Sequence, residues 1–170
     1  MKLRSAVTAL ALAAGALLAP GFGVVTGATD AHAATKISHA TATSMFRSSG
    51  ITWSSSGGCS DRNNPRCTSF EQLNLATAQG AQTLRSASGC ALNITGGTET
   101  GHAGGTYSHW NGYKLDYGKT GCVGTYITST FTRIGNRPGD NAPQWRSGSG
   151  NVYADEGNHW DVTYSNCGGC

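Results

Sequence analysis

The spacing of apolar residues changes several times along this chain, and each change marks an element. Ser38 to Ser48 reads as a short helix, with Met45 and Phe46 at its apolar end and Gly50 to break it. Ser54 to Gly58 is a loop. From Thr68, where Thr68-x-x-Glu71 has the capping-box spacing, Phe70, Leu73, Thr77, Gly80, Leu84 and Ala87 recur at steps of three and four, which predicts a helix ending at Gly89. Ala91 to Thr95 reads as a short buried strand. Tyr113, Leu115 and Tyr117 then alternate with Lys114 and Asp116, the pattern of a half-buried strand. Val123, Tyr126, Ile127, Phe131 and Ile134 return at helical spacing, with Gly135 placed to stop the helix. Val152 to Ala154 and His159 to Tyr164 supply two further strands. Without an internal repeat or a dividing linker, the expectation is one α+β domain over residues 34–170, a small, mainly antiparallel sheet with two or three helices packed on it.

The N-terminal segment sets the compartment. Lys2 and Arg4 precede an apolar run from Ala6 to Leu18, and Ala31-His32-Ala33 supplies small residues at the cleavage positions, so residues 1–33 read as a secretory signal peptide. The run is shorter than the roughly 20 residues a bilayer core requires. No later segment is apolar for long enough to span one, so no membrane association is expected after processing. The chain has 170 residues, a formal charge of +3 and only 12% charged residues. Its few, scattered Lys and Arg make no basic stripe for gripping phosphates, which excludes nucleic acid as the expected partner. A secreted monomer is the expectation.

Six cysteines, at 59, 67, 90, 122, 167 and 170, lie beyond the leader, and an even number in an exported chain reads as disulfides. About 15 connectivities are open to three bridges. Pairing near neighbours closes the smallest loops and favours Cys59 with Cys67, Cys90 with Cys122, and Cys167 with Cys170. A redox role for Cys167-Gly-Gly-Cys170 is the rival, but such a pair normally opens a helix that lowers the thiol pKa. A four-cysteine zinc site is disfavoured by the spacing and the oxidising compartment.

Reactive chemistry is concentrated in few residues. Beyond the leader there are histidines at 39, 102, 109 and 159. A hydrolytic zinc site needs three protein ligands from His and carboxylate, one open position, and a base beside it. His109, Asp116 and His159 fit as ligands and Glu156 as base. On a regular strand an offset of seven would send His109 and Asp116 to opposite faces, so a bend is required. Asn111-Gly112 supplies one, and Gly157-Asn158 does the same between Glu156 and His159.

The ordered pair His109-Trp-Asn-Gly112-Tyr-Lys-Leu-Asp116 and Glu156-Gly-Asn-His159-Trp160 resembles the zinc peptidases that cleave peptides containing D-amino acids. These are the D-Ala-D-Ala carboxypeptidases, D,D-dipeptidases and L-alanyl-D-glutamate endopeptidases, whose fold the hedgehog signalling domains share. The resemblance spans about Ile94 to Tyr164. It implies Zn2+ held by His109, Asp116 and His159, Glu156 as general base, and peptidoglycan stem peptides as substrate. It also implies substrate contacts at Thr98, at the end of the cleft strand, at Tyr107, which stands where the family favours Ser, at the adjacent Ser108, and at Trp160. The family often carries an Arg shortly before the first ligand His, and here Gly97 to His102 contains none. His102 is the candidate catalytic donor in its place, with Arg85, Arg133, Arg137 and Arg146 as alternatives. Two readings of other classes remain: a non-catalytic, zinc-containing wall-binding module, and a disulfide-stapled inhibitor or toxin whose His and acidic residues are surface groups.

Overall fold

Strands β4 (Asn93–Gly96), β5 (Lys114–Gly118) and β9 (His159–Thr163) run side by side at the centre of the architecture, in a computed structural model that describes residues 34–165. These residues belong to one compact unit, Ala33–Cys170. The leader and the Cys167–Cys170 pair lie outside the described residues.

The chain begins with β1 (Lys36–Ile37), α1 (His39–Ser48), β2 (Thr52–Trp53), β3 (Leu73–Asn74) and α2 (Leu75–Ser88), and β4 and β5 follow. After β5 come α3 (Gly121–Thr130), β6 (Thr132–Asn136), β7 (Pro143–Arg146) and β8 (Val152–Asp155), and β9 is the last of the described strands. Seven strands form one sheet in the order β2-β4-β5-β9-β8-β7-β6, parallel only between β2 and β4, and β1 pairs with β3 apart from it. The expected α+β class, with a mainly antiparallel sheet and three helices, is what forms.

Alternation along β5 and β9 divides the sheet into two chemistries. Leu115, Tyr117, Trp160 and Val162 are buried with Ile94 and Tyr153 in one core with Phe46, Ala78, Leu84, Val123 and Ile127 of the helices. Burial of this kind contributes about 25 cal/mol per Å² of apolar surface and holds the layers together. α2 approaches closely because Gly80 has no side chain: a Cβ there would lie 2.4 Å from the Tyr164 ring. Lys114, Asp116, His159 and Asp161 occupy the alternate positions and project from the other face.

Two helix boundaries differ from expectation. α2 starts at Leu75, because Leu73 and Asn74 are drawn into pairing with β1. Thr68 and Glu71 form no capping box: the Thr68 hydroxyl donates to the Ser54 carbonyl, and the Glu71 carboxylate accepts from His39 N at 2.9 Å, capping α1 instead. The C-terminus falls as expected, with Gly89 left-handed at φ +67°. α3 ends at Thr130, and Phe131 and Ile134 leave it. Ile134 enters β6, where the β-branched segment finds a partner in β7, and Phe131 packs against Tyr126 and Tyr153. Gly135 is therefore no helix stop but lies at a register shift within β6.

Cys59–Cys67 and Cys90–Cys122 are bonded, with Cα separations of 4.8 and 5.7 Å. The second ties Cys90, just past the Gly89 cap of α2, to the first turn of α3. No helix among the described residues is long and apolar enough to cross a membrane.

Candidate metal centre

Asp116 on β5 stands directly opposite Asp161 on β9, and His159 sits two residues before Asp161 on the same face. The segment between β4 and β5 returns over this face carrying His102 and His109. Its turn is set at Gly112, at φ +76°, whose amide donates to the His109 carbonyl at 2.8 Å. A Cβ at Gly112 would also lie 2.5 Å from the Gln72 carbonyl, so two independent constraints require glycine. The second turn uses Gly157 at φ +87°, where Glu156 N donates to the His159 carbonyl at 3.1 Å. Both bends demanded by the spacing are present.

His109 is 4% exposed, and its Nδ1–H donates to the Gly97 carbonyl at 2.6 Å, which leaves Nε2 facing Asp116 Oδ1 at 3.2 Å. His159 Nδ1–H donates to Asn158 Oδ1 at 2.6 Å, and its Nε2 stands 3.6 Å from the same carboxylate oxygen. Asp116 is 6% exposed, and its Oδ1 is buried with no well-formed hydrogen bond. An acceptor buried without a donor is costly and needs a cation or proton to satisfy it. Ligand atoms of a tetrahedral zinc, each at about 2.1 Å from the ion, lie about 3.4 Å from one another, close to the separations found around Asp116 Oδ1.

His102 enters from the other side. His102, His109 and Asp116 bring ligand atoms within 4.8 Å of one another, a His/His/Asp cluster able to hold a metal ion. His102 nevertheless lies stacked on His109, with ring centroids 3.8 Å apart and planes 17° from parallel. Imidazole lone pairs lie in the ring plane, so one of the two stacked rings must turn before both meet one ion. His102 Nε2–H instead donates to Glu99 Oε1 at 3.1 Å, and Nδ1 lies 3.8 Å from Asp116 Oδ2. Glu99 is buried and also accepts from Ser69 N at 2.7 Å and Gly97 N at 3.0 Å. Burial would raise its pKa, but these donors hold it below the usual carboxylate range.

A cavity of about 610 Å³ opens over the cluster, lined by His102, His109, Lys114, Asp116, Arg137, Asp140, Glu156, His159 and Asp161 among others. Lys114 and Arg137 face four carboxylates there, an excess of acidic groups that favours a further positive charge. Arg137 is the one of the four candidate arginines among the lining residues. Its guanidinium is already engaged by Asp140, Glu156 and Asp161, the last at 2.7 Å. These partners push its pKa above the usual value. It organises acidic residues rather than presenting free donors. Lys114 Nζ donates to Asp161 Oδ2 at 2.6 Å. Burial opposes ionisation of Asp161, but Lys114, His109 and Arg137 hold its pKa below the ordinary value. Burial likewise opposes charging of His109, yet Asp116, Asp161 and the Gly97 carbonyl raise its pKa.

His109, Asp116, His159, Glu156 and His102 are thus brought together, with Glu156 Oε2 3.2 Å from His159 Nε2. The residues expected to contact substrate are not. Thr98 is buried, its hydroxyl donating to the Ser69 and Glu71 carbonyls at 3.1 and 2.7 Å, and Trp160 lies in the core on the opposite sheet face. Ser108 is buried under its loop, where its Oγ accepts from Asn111 N at 3.2 Å and fixes the turn. Tyr107 is exposed and packs edge-on against Tyr113. Asp161, Lys114 and Glu99 went unassigned in the sequence. Asp161 falls two residues after His159 on the same face, which was the available signal.

Together these features define a disulfide-stapled α+β protein with a candidate metal centre at His102, His109 and Asp116, a group that does not include the expected ligand His159, and the bridges point to an oxidising, extracellular setting. Comparison with known protein families, curated proteins and solved structures found no match to this chain.

Proposed function

We propose that the protein is a secreted zinc peptidase that hydrolyses stem peptides of peptidoglycan, of the D-Ala-D-Ala carboxypeptidase or L-alanyl-D-glutamate endopeptidase type. The observation that carries the metal is the buried Asp116 Oδ1, which lacks a well-formed hydrogen bond and lies 3.2 and 3.6 Å from the Nε2 atoms of His109 and His159. The order and spacing of these residues with Glu156 support the peptidase class through their resemblance to those enzymes. Zinc, when bound by the three side chains, supplies Lewis acidity toward a water and a substrate carbonyl.

This chain's own groups account for the remaining steps. The Gly97 carbonyl and Asn158 fix the two imidazole orientations, so that both Nε2 atoms face inward. Glu156, at the mouth of the cavity, takes a proton from the attacking water and delivers it to the leaving amine. His102 lines the same cavity and would serve a developing oxyanion by turning its Nε2–H away from Glu99. Arg137 holds Glu156 and Asp161 in place and keeps like charges from separating.

A second reading, a non-catalytic wall-binding module, draws on that same Arg137–Glu156 pair, since the guanidinium already occupies one of the carboxylate's oxygens. Mass spectrometry of purified peptidoglycan fragments incubated with the zinc-loaded, processed protein separates the two. Hydrolysed stem peptides are expected; intact fragments that co-purify with the protein would instead support the module.

A further inference from the structure

The geometry points to Asp161 as part of the metal centre: we propose that its Oδ1 accepts a hydrogen bond from whatever group fills the open position of an ion held by His109, Asp116 and His159. This inference rests on the zinc reading above.

Four observations place it there. Asp161 is 5% exposed, and its Oδ1 is buried with no hydrogen-bond partner, although the residue lines the cavity. That oxygen lies 3.9 Å from His109 Nε2, farther than the roughly 3.4 Å between ligand atoms of one tetrahedral zinc, which sets it beside the ligands rather than among them. The other oxygen, Oδ2, is taken by Lys114 Nζ at 2.6 Å and Arg137 Nη1 at 2.7 Å, so the carboxylate cannot rotate to relieve Oδ1. Finally, Asp161 is paired across the strands with Asp116, and like charges directly opposite one another on a sheet are destabilising unless something between them is positive or donates a proton. An ion on Asp116 whose remaining ligand donates to Asp161 satisfies both orphan oxygens at once.

Lys114 and Arg137 make Asp161→Asn a directed test. Both donate to the Oδ2 side, so the amide oxygen is held there and the NH2 group replaces the acceptor at Oδ1 with a donor. Zinc titration of the folded variant is expected to show one site with affinity lowered about 10- to 100-fold, the usual effect of disturbing an outer partner of a metal site. Asp161→Ala is the second variant, and added acetate should restore part of its affinity by returning a carboxylate to the gap. Affinity within threefold of the unmodified protein in both variants would overturn the role of Asp161 while leaving the three-ligand site standing. A loss as large as that of Asp116→Ala would also overturn it, by making Asp161 a direct ligand. Absence of zinc binding by the unmodified protein would overturn the metal reading itself.

Discussion

Gly96 on β4 lies across from Asp116 on β5 so closely that a Cβ at position 96 would come within 2.4 Å of Asp116 Oδ2. The missing side chain is the space the carboxylate occupies. Gly96→Ala is expected to fold, since the position is extended strand, but to turn Asp116 away from His109 and His159. Zinc affinity should fall by roughly tenfold or more, as when a ligand's support is disturbed. Calorimetric titration checks this, and unchanged affinity would show that Asp116 does not need its present rotamer.

Metal removal should cost stability. A ligand at 100 times its Kd stabilises the folded state by about 2.7 kcal/mol, or roughly 8 °C in Tm for a domain of this size. Thermal melts with zinc and with excess chelator measure the difference. Coincident melts would argue against a site formed only in the folded chain.

The pH dependence follows from His109, whose pKa is raised in the metal-free fold. Protonated His109 therefore stabilises the metal-free protein below the unfolded value, and that contribution disappears as pH rises through the folded pKa. Zinc needs the neutral ring, so protons compete with it from a higher pH than they would at an ordinary histidine. The gap in Tm between zinc-loaded and metal-free protein should narrow steadily as pH falls from about 8 to about 6. A gap independent of pH would exclude histidine nitrogen from the site.

Glu156→Gln should retain zinc and fold while turnover on stem peptides falls by about two to four orders of magnitude, the usual worth of a positioned base. Asp155→Asn is the internal control. Its carboxylate is bound by Lys119 Nζ at 2.7 Å and does not line the cavity, so a change of only a few-fold is expected. Reversal of the two effects would mean that the wrong acid has been assigned.

Replacing Cys90 and Cys122 by Ser should lower stability by about 2 to 5 kcal/mol, the typical cost of losing a native bridge from a small secreted domain. Denaturant melts of the zinc-loaded double variant are the measurement. A loss below about 1 kcal/mol would show that α2 and α3 hold together without the bridge.

What the sequence made legible was local. Alternation in Tyr113 to Tyr117 is visible in five residues, and the turns at Gly112 and Gly157 follow from offsets of seven and three between chemically matched groups. What escaped depends on distant pairing. Asp161 acquires its place because β9 aligns it with Asp116, 45 positions earlier, and Arg137 arrives from the β6–β7 connection. Phe131 and Ile134 carry helical spacing, but pairing of Thr132–Asn136 with β7 claims Ile134, and Phe131 packs against Tyr126 and Tyr153. Trp160 sits beside a proposed ligand in sequence and on the reverse side of the sheet in space, because neighbouring strand residues face opposite ways.

The strand order has a consequence for how such a protein is assembled. β9 lies between β5 and β8, so before it docks the sheet exists only as two unconnected pieces, β2-β4-β5 and β8-β7-β6. The same strand delivers His159 and Asp161. A chain folding from the N-terminus onward would hold His102, His109 and Asp116 before β9 arrives, so the proposed centre would gain His159 and Asp161 only when the last described strand closes the sheet.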